Sequence, residues 1–525
     1  MQASSHRLEP AEIVIGVDVG TSAVKVAAFR AGTGAVTTVS REYGLEQPNP
    51  GWQVQDPELI ANAVADALAE CAASCGPEQV AAVSLSAAMH GLVGLSAAMR
   101  PLTPLLTWAD GRAMAQSARL RESGAAVLAY RTSGVPNHPM TPLAKLIWFA
   151  ENEPRLCSRV RYWVGLKDFV LLRLTGSLAT ELSSATGTGL LDRDTLGWSP
   201  TLLDLARVTV EQLPPILPTT ASLRLGREAA GATGLRPGLP VVVGAGDGPL
   251  GNLGSGALAS GVAGLSIGTS AALRLAVDRP VLAPDGRLFC YALTGQQWVV
   301  GGATSNGGSV VRWAGGVFGP EPAADDGSDP DAELLELAAG VPPGSEGLVM
   351  LPYLLAERGP LWDPTLRGAF LGLRPGHTRA HFARAAVEGV ALQLWAILGQ
   401  LGRFGRIEAV HATGGAFRSA LWQQVVADVL DLPLVITADA AGTALGAAAL
   451  GLVSLGREAD LVAAAELLRP SRRGGRTVTP AGAGAYDEVR ASIPRLLSQY
   501  AEVSALFERD RPSDRDPGPG DRAAH

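Results

Sequence analysis

Ile13-Val14-Ile15-Gly16-Val17-Asp18-Val19-Gly20-Thr21-Ser22-Ala23-Val24-Lys25-Val26-Ala27-Ala28-Phe29 is the stretch that decides the fold. Ile13-Val14-Ile15 reads as a buried strand, Gly20-Thr21-Ser22 as a tight turn, and residues 24 to 29 as a returning strand. The letters Gly20-Thr21-Ser22-Ala23 come back as Gly268-Thr269-Ser270-Ala271, again between two apolar runs. One copy lies near the start of each half, so the chain reads as a duplication. A Gly-Thr-Ser turn presents backbone N–H groups and hydroxyls suited to phosphate. Two such turns facing each other would grip one nucleotide.

Outward from these turns, strand and helix patterns alternate, which is α/β architecture. Residues 59 to 71 read as an amphipathic helix with Leu59, Ile60, Ala63, Val64, Ala67, Leu68 and Cys71 on its apolar face. The 525 residues, 47% hydrophobic, are enough for two cores, since one core stops growing near roughly 250–300 residues. Gly251-Asn252-Leu253-Gly254-Ser255-Gly256 reads as a loop near the boundary between them. The expected domains are 11–255 and 256–500, followed by a disordered tail over 509–525 rich in Asp, Arg, Pro and Gly. Residues 321 to 331, acidic with Pro, Gly and Ser, read as an exposed loop.

Several function classes fall away. The net charge of −7 is spread along the chain with no basic stripe, so no nucleic-acid partner is expected. Residues 1 to 10 are polar, and no run approaches the roughly 20 apolar residues of a membrane span. A cytoplasmic protein follows. The four cysteines have neither disulfide nor metal spacing and read as free thiols. Among 43 Lys plus Arg only Lys25, Lys145 and Lys167 are lysine, which marks those three positions as candidates for a compact point charge.

Chemistry gathers at strand ends. Asp18 closes the first strand beside the Gly20-Thr21-Ser22 turn, where a carboxylate suits a magnesium ion; the alternative is an Asp bonding its own turn. Asp247 follows the apolar run Val241-Val242-Val243-Gly244-Ala245-Gly246 and is placed to take a proton from an attacking alcohol, or else to cap a helix opening at Gly248-Pro249. Residues 407 to 412 read as a strand, Thr413-Gly414-Gly415-Ala416 as a Gly-rich turn able to lie against a base or ribose, and residues 419 to 430 as a helix. No Walker A pattern is present. Gly254-Ser255-Gly256 is a poor dinucleotide fingerprint, because no strand leads into it.

Met140-Thr141-Pro142-Leu143-Ala144-Lys145-Leu146-Ile147-Trp148-Phe149-Ala150-Glu151-Asn152 resembles the first signature of the FGGY carbohydrate kinases at every defined position. Gly368-Ala369-Phe370-Leu371-Gly372-Leu373, continued by His381-Phe382 and Ala385-Ala386-Val387-Glu388, resembles the second. The resemblance runs over residues 13 to 455. It implies two ribonuclease H-like domains of the actin-like ATPase type, with the active site in the cleft between them and ATP and Mg2+ as cofactors. It further implies in-line phosphoryl transfer to a sugar hydroxyl, with Asp247 as catalytic base and Asp18 near the metal. Thr21, Ser22 and Lys25 match the first phosphate loop and Thr269 the second. Gly308, Arg312, Gly415 and Ser419 match the nucleotide side. A homodimer is the assembly to test for.

Ser86-Ala87-Ala88-Met89-His90, Trp108-Ala109-Asp110-Gly111-Arg112, residues 135 to 140 and residues 351 to 358 resemble the substrate wall of the gluconokinase branch of that family. Xylulokinases resemble the first segment but usually have Gln before Met-His, and Trp-Asn-Asp in the second. Gly111 and Ala356 depart from the gluconokinase pattern. The expected substrate is a small sugar or sugar acid, read by Ala88, Met89, His90, Trp108 and Asp110, with Arg112, His138 and Arg358 as candidates for a carboxylate. A pentulose or polyol kinase is the near alternative, and a non-catalytic actin-like protein the distant one.

Overall fold

The computed structural model describes residues 12–318, 330–437, 442–469 and 475–504. Residues 1–10, most of the acidic segment 321–331 and the tail 509–525 lie outside the described residues; Pro330 opens a helix, Pro330–Ala339.

Two sheets carry the same plan. In the first, β1 (Ile13–Val19), β2 (Ala23–Arg30) and β3 (Gly34–Glu42) form an antiparallel meander. The other edge of β1 runs parallel to β4 (Val80–Ala87), which runs parallel to a further strand edged by β5 (Ser222–Arg224). That further strand is β6 (Pro240–Gly246). The second sheet repeats this with β7 (Val262–Ile267), β8 (Ala271–Val277), β9 (Phe289–Ala292) and β10 (Trp298–Thr304). It continues through parallel β11 (Ala409–Thr413) and β12 (Leu434–Ile436) to antiparallel β13 (Arg476–Val478). The orders β5-β6-β4-β1-β2-β3 and β13-β12-β11-β7-β8-β10-β9 superpose strand for strand, with β9 as an extra edge. Both Gly-Thr-Ser turns join the equivalent strand pairs, so the four-letter repeat is the trace of a whole repeated domain.

The run of apolar residues in β1 reflects burial on both faces. Ile13, Ile15 and Val17 pack in a core with α1 (Pro57–Cys75), while Val14 faces the opposite side. Asp56 caps α1 by accepting from the Glu58 amide at 2.8 Å, so the helix starts before the expected residue 59. Leu59 itself points outward, because the buried stripe is set by Ile60, Val64, Ala67, Leu68 and Cys71.

The expected loop at 251–256 is instead the body of a helix, α2 (Asp247–Ser255), with Gly256 as its left-handed cap. Its glycines serve helix contact. A second helix, α3 (Gly442–Ser454), comes from the C-terminal half yet packs on β1 and β4 of the first sheet and crosses α2. A side chain on Gly254 would meet the Gly442 carbonyl oxygen at 1.6 Å, and one on Gly446 the Leu250 carbonyl oxygen at 2.2 Å. On the sheet side, Gly16 lies against the Ala444 carbonyl, where a Cβ would sit at 1.9 Å. Backbone thus touches backbone across both layers.

Among the described residues one helix, Arg379–Leu401, is long and apolar enough to cross a membrane by length and composition. It is mostly buried in the second domain, where its Arg384 and Glu388 pair with each other and with Tyr486.

The crossing gives a paired prediction. Gly251, in the same helix, has nothing nearer than Thr443 Oγ1 at 3.7 Å. Gly251→Ala should therefore hold or raise stability by up to about 1 kcal/mol through helix propensity. Gly254→Ala should lose at least about 1–3 kcal/mol by overpacking. Urea unfolding of the two variants checks the contrast; equal midpoints would refute the crossing geometry.

Candidate active site

The C-terminal ends of β1, β4 and β6 bring Asp18, Ala88 and Asp247 to one edge of the first sheet. β1 pairs Asp18 with Lys25 on β2 and Ser86 on β4. Asp18 Oδ1 is buried without a hydrogen-bond partner. Burial first, and the charge of Asp247 second, push its pKa up to about 7, against the pull of Lys25. Asp247 is the first residue of α2 and accepts from the Gly248 amide at 2.8 Å. Its pKa is also raised, by burial, although the positive charge of Arg274 opposes the shift. Two buried carboxylates with raised pKa values, one of them under the other's charge, form a site suited to a cation or a proton.

Around the first turn, Trp108 Nε1 donates to Thr21 Oγ1 at 2.9 Å, and Gln55 donates to the Thr21 carbonyl at 2.8 Å. Ser22 and Lys25 are exposed at its mouth. The second turn is held by the entrance to α4 (Gly308–Phe318). The Gly308 amide donates to the Gly268 carbonyl at 2.7 Å and the Gly307 amide to that of Thr269 at 3.1 Å. A Cβ at Gly308 would sit 2.7 Å from that Gly268 oxygen, so a bulkier residue would push the turn away.

Behind the second turn opens a cavity of about 690 Å³. Thr269, Gly308, Arg312, Gly415 and Ser419 all line it, together with Arg418. The five residues were read from three separate segments of sequence, and the fold brings them to one pocket of the size that small-molecule ligands occupy.

The remaining candidates lie in segments of which Met89 and Arg358 reach Asp247. Met89 is buried against Gly187 and Gly246, whose missing side chains make room for its thioether. His90 adopts φ 67° and its Nδ1 lies 2.8 Å from the Gly187 carbonyl. Burial and the nearby Lys145 push its pKa down to about 3, so it is neutral. His138 is held neutral by burial and Arg358, and its Nδ1 accepts from the Met140 amide at 3.2 Å. That bond makes Nε2 the protonated nitrogen. Arg358 is buried and stacks its guanidinium 4.5 Å over the Trp108 ring. It donates to the Thr304 carbonyl at 2.7 Å and to Ser305 Oγ at 3.3 Å.

Asp110 and Arg112 are engaged with each other, with Nε–Oδ1 at 2.7 Å and Nη2–Oδ2 at 2.9 Å. Asp110 also accepts the Gln53 amide at 2.8 Å, and the guanidinium lies 3.7 Å over Trp52. Both oxygens of Asp110 and two N–H groups of Arg112 are engaged inside the protein, and the pair braces the Trp108 loop. Lys145 does related work. Buried in the helix Pro142–Asn152, it donates to the carbonyls of His90 at 2.8 Å and Thr107 at 2.7 Å, tying the two wall segments together. Lys167 is buried against Glu181.

Sequence reading missed Arg274, Tyr291 and the pair Asn306–Glu357. Glu357 accepts from Asn306 Nδ2 at 2.7 Å and the Ser305 amide at 2.9 Å, which seats Arg358 at the head of α4. A signal for Arg274 was present: it is the one charged residue in the otherwise apolar strand Ala271–Val277.

Comparison with known proteins agrees with this geometry. Residues 13–254 match the N-terminal domain, and residues 263–455 the C-terminal domain, of the FGGY family of carbohydrate kinases. The chain is 34% identical over 501 residues to a protein named gluconokinase from Bacillus subtilis (strain 168), covering 94% of this chain and 97% of that one. It is 30% identical over 448 residues to a xylulose kinase from the same organism, covering 84% of this chain and 88% of that one. A gluconate kinase structure from Lactobacillus acidophilus superposes with a TM-score of 0.85 at 32% identity, covering 95% of this chain and 99% of that one.

Replacing Arg112 by Leu strands Asp110, which is 1% exposed, without its counter-ion. A loss of about 3–5 kcal/mol is expected. Asp110→Asn combined with Arg112→Met should lose clearly less than the sum of the single changes, and a double-mutant cycle by urea unfolding measures that coupling.

Proposed function

Because the chain belongs to the FGGY family of carbohydrate kinases, we propose that it transfers the γ-phosphoryl group of ATP to the terminal hydroxyl of D-gluconate, giving 6-phospho-D-gluconate. The observation that carries this reading is the place of Asp247. It stands at the head of α2, its charge acts on Asp18 beside the first Gly-Thr-Ser turn, and Arg358 and the Met89 backbone reach it from the wall segments.

Asp247 acts as general base. It takes the hydroxyl proton as the sugar oxygen forms its bond to the γ-phosphorus, and the bond from phosphorus to the ADP oxygen breaks in line. The turns at residues 20–22 and 268–270 hold the phosphates, Lys25 adds charge at the mouth, and the purine nucleoside lies against Gly415 and Ser419. Asp18 fits a magnesium ion, which takes one or two carboxylates and fills its remaining positions with phosphate and water oxygens. Bound there, the ion would neutralise phosphate charge; the orphaned Asp18 Oδ1 is the atom that awaits it. Trp108 links sugar to phosphate, since its indole nitrogen holds Thr21 while its ring carries Arg358. His90 and His138, both neutral, read hydroxyls. Residues 11–255 supply the first phosphate turn and most of the sugar side, and residues 256–500 the nucleotide side together with Arg358. The enzyme is expected to work in the cytoplasm on small molecules, with a homodimer as the assembly to test.

Gluconate is preferred to xylulose because the gluconokinase relative matches at higher identity over more of its length than the xylulose kinase relative. Wall segments 86–90 and 108–112 support the same choice. ADP release with D-gluconate, D-xylulose, D-ribulose, glycerol and erythritol should show the highest kcat/KM with gluconate. A higher value with D-xylulose would overturn the sugar acid and keep the kinase.

The base has its own test. Asp247→Asn should keep the fold and ATP binding and lower kcat by roughly 10²–10⁴-fold. Its raised pKa means that protonation begins at higher pH than for a carboxylate at the ordinary 3.8. The kcat/KM of wild-type enzyme should therefore fall on the acid side as pH drops through a value above 3.8. A pH–rate profile that is flat down to pH about 4 would refute the assignment.

A further inference from the structure

We propose that Arg274 is a specificity-determining residue that takes the carboxylate of the sugar acid. The inference rests on the sugar-acid reading above and assigns its charged end to a residue outside the segments that suggested it.

Arg274 sits in β8, paired with Gly264 on one side and Gly301 on the other. Its side chain crosses toward the first domain through a slot made of glycine. A Cβ at Gly301 would lie 3.0 Å from Arg274 Cγ, and a Cβ at Gly248 would lie 3.2 Å from its Nε. The guanidinium lies within electrostatic reach of the Asp247 carboxylate and near the Tyr291 phenol. Tyr291 in turn lies 3.4 Å from His90 Nε2, which joins the arginine to the sugar wall.

An arginine carries five N–H donors. Only one hydrogen bond of this guanidinium to protein appears among the described residues, Nη1 to Ser266 Oγ at 3.3 Å, and no carboxylate comes within ion-pair distance. The residue is half-buried, and no other protein acceptor for its guanidinium appears among the described residues. The other cationic candidates are more fully committed. Arg112 is doubly bonded to Asp110, and Arg358 donates to Thr304 and Ser305 while lying on Trp108. A positive fork with vacant donors, at the sugar side of the base, matches a carboxylate in charge and shape. The phosphate-gripping turn lies elsewhere: Arg274 is five residues beyond Thr269 along an extended strand. That separates the two backbone positions by roughly 15 Å.

The experiment compares D-gluconate with D-glucitol, the same carbon chain ending in a neutral hydroxymethyl group, on full-length enzyme. KM for gluconate, the inhibition constant of D-glucitol and KM for ATP are measured for wild type, Arg274→Leu and Arg274→Lys, with thermal melts as the folding control. Arg274→Leu should raise the gluconate KM by about 10–100-fold, as expected for loss of a charge-assisted contact. The D-glucitol and ATP constants should stay within about twofold. Arg274→Lys should recover part of the loss, since it keeps the charge without the fork. Equal losses for gluconate and D-glucitol would overturn the assignment. So would a fall in kcat at unchanged gluconate KM, which would place the guanidinium on the phosphoryl group in flight. If Arg274→Leu does not fold, Arg274→Lys and Arg274→Gln carry the same comparison. A wild-type enzyme that binds D-glucitol as tightly as gluconate sinks both this inference and the sugar-acid reading. A wild-type preference for gluconate that survives in Arg274→Leu sinks this inference alone.

Discussion

The structure turns on a contact in which no side chain takes part. Where α2 crosses α3, Gly254 meets the backbone at Gly442 and Gly446 meets the backbone at Leu250. The helices come from opposite halves of the chain; α3 packs on the first sheet, and α2 touches strands of both. Close approach fixes where α2 begins relative to the first sheet. Its first residue is Asp247, so the distance from that carboxylate to Asp18 and to the sugar wall is set by glycines two turns away. Any swing of one domain against the other must pass through this crossing, which has no flexible layer to absorb it.

Above that crossing, charge is arranged around a dry floor. Met89, Met140, Ala272, Phe289, Tyr291 and Ala303 close an apolar layer between the domains. Burial then decides protonation: His90 and His138 are held neutral, while the pKa values of Asp18 and Asp247 rise. In such surroundings a donor already in place is worth more to a transferring phosphoryl group than one that must shed water. The bracing pairs Asp110–Arg112 and Asn306–Glu357 hold the wall without facing the reaction.

What could be read from the sequence was the repeated plan and the parts tied to it. The Gly-Thr-Ser turns announced two equivalent sheets, because the turn chemistry is local. Asp18 and Asp247 could be picked out because an acid at the end of an apolar strand is conspicuous. The loop assigned to residues 251–256 failed for an instructive reason: glycine there answers to a distant backbone, and local propensity cannot register a helix 190 residues away. The ion pair of Arg112 with Asp110 was not legible, because the Trp52 and Trp148 rings that hold the guanidinium come from other segments of the chain. Arg274 shows in the sequence only as a charge in an apolar strand, because the glycines through which it reaches toward Asp247 lie in distant segments.

The scarcity of lysine has a practical side. Lys145 and Lys167 are 0% and 2% exposed, each fastened to partners inside the first domain. Lys25 stands open beside the first turn and is the only lysine side chain on the surface. Amine-coupling chemistry that treats most proteins as uniformly decorated with attachment points would find one side-chain handle here, on the lip of the cleft. A sensor chip, a fluorophore or a resin joined through lysine would sit in the doorway, and the protein would seem inert for a reason unrelated to its folding.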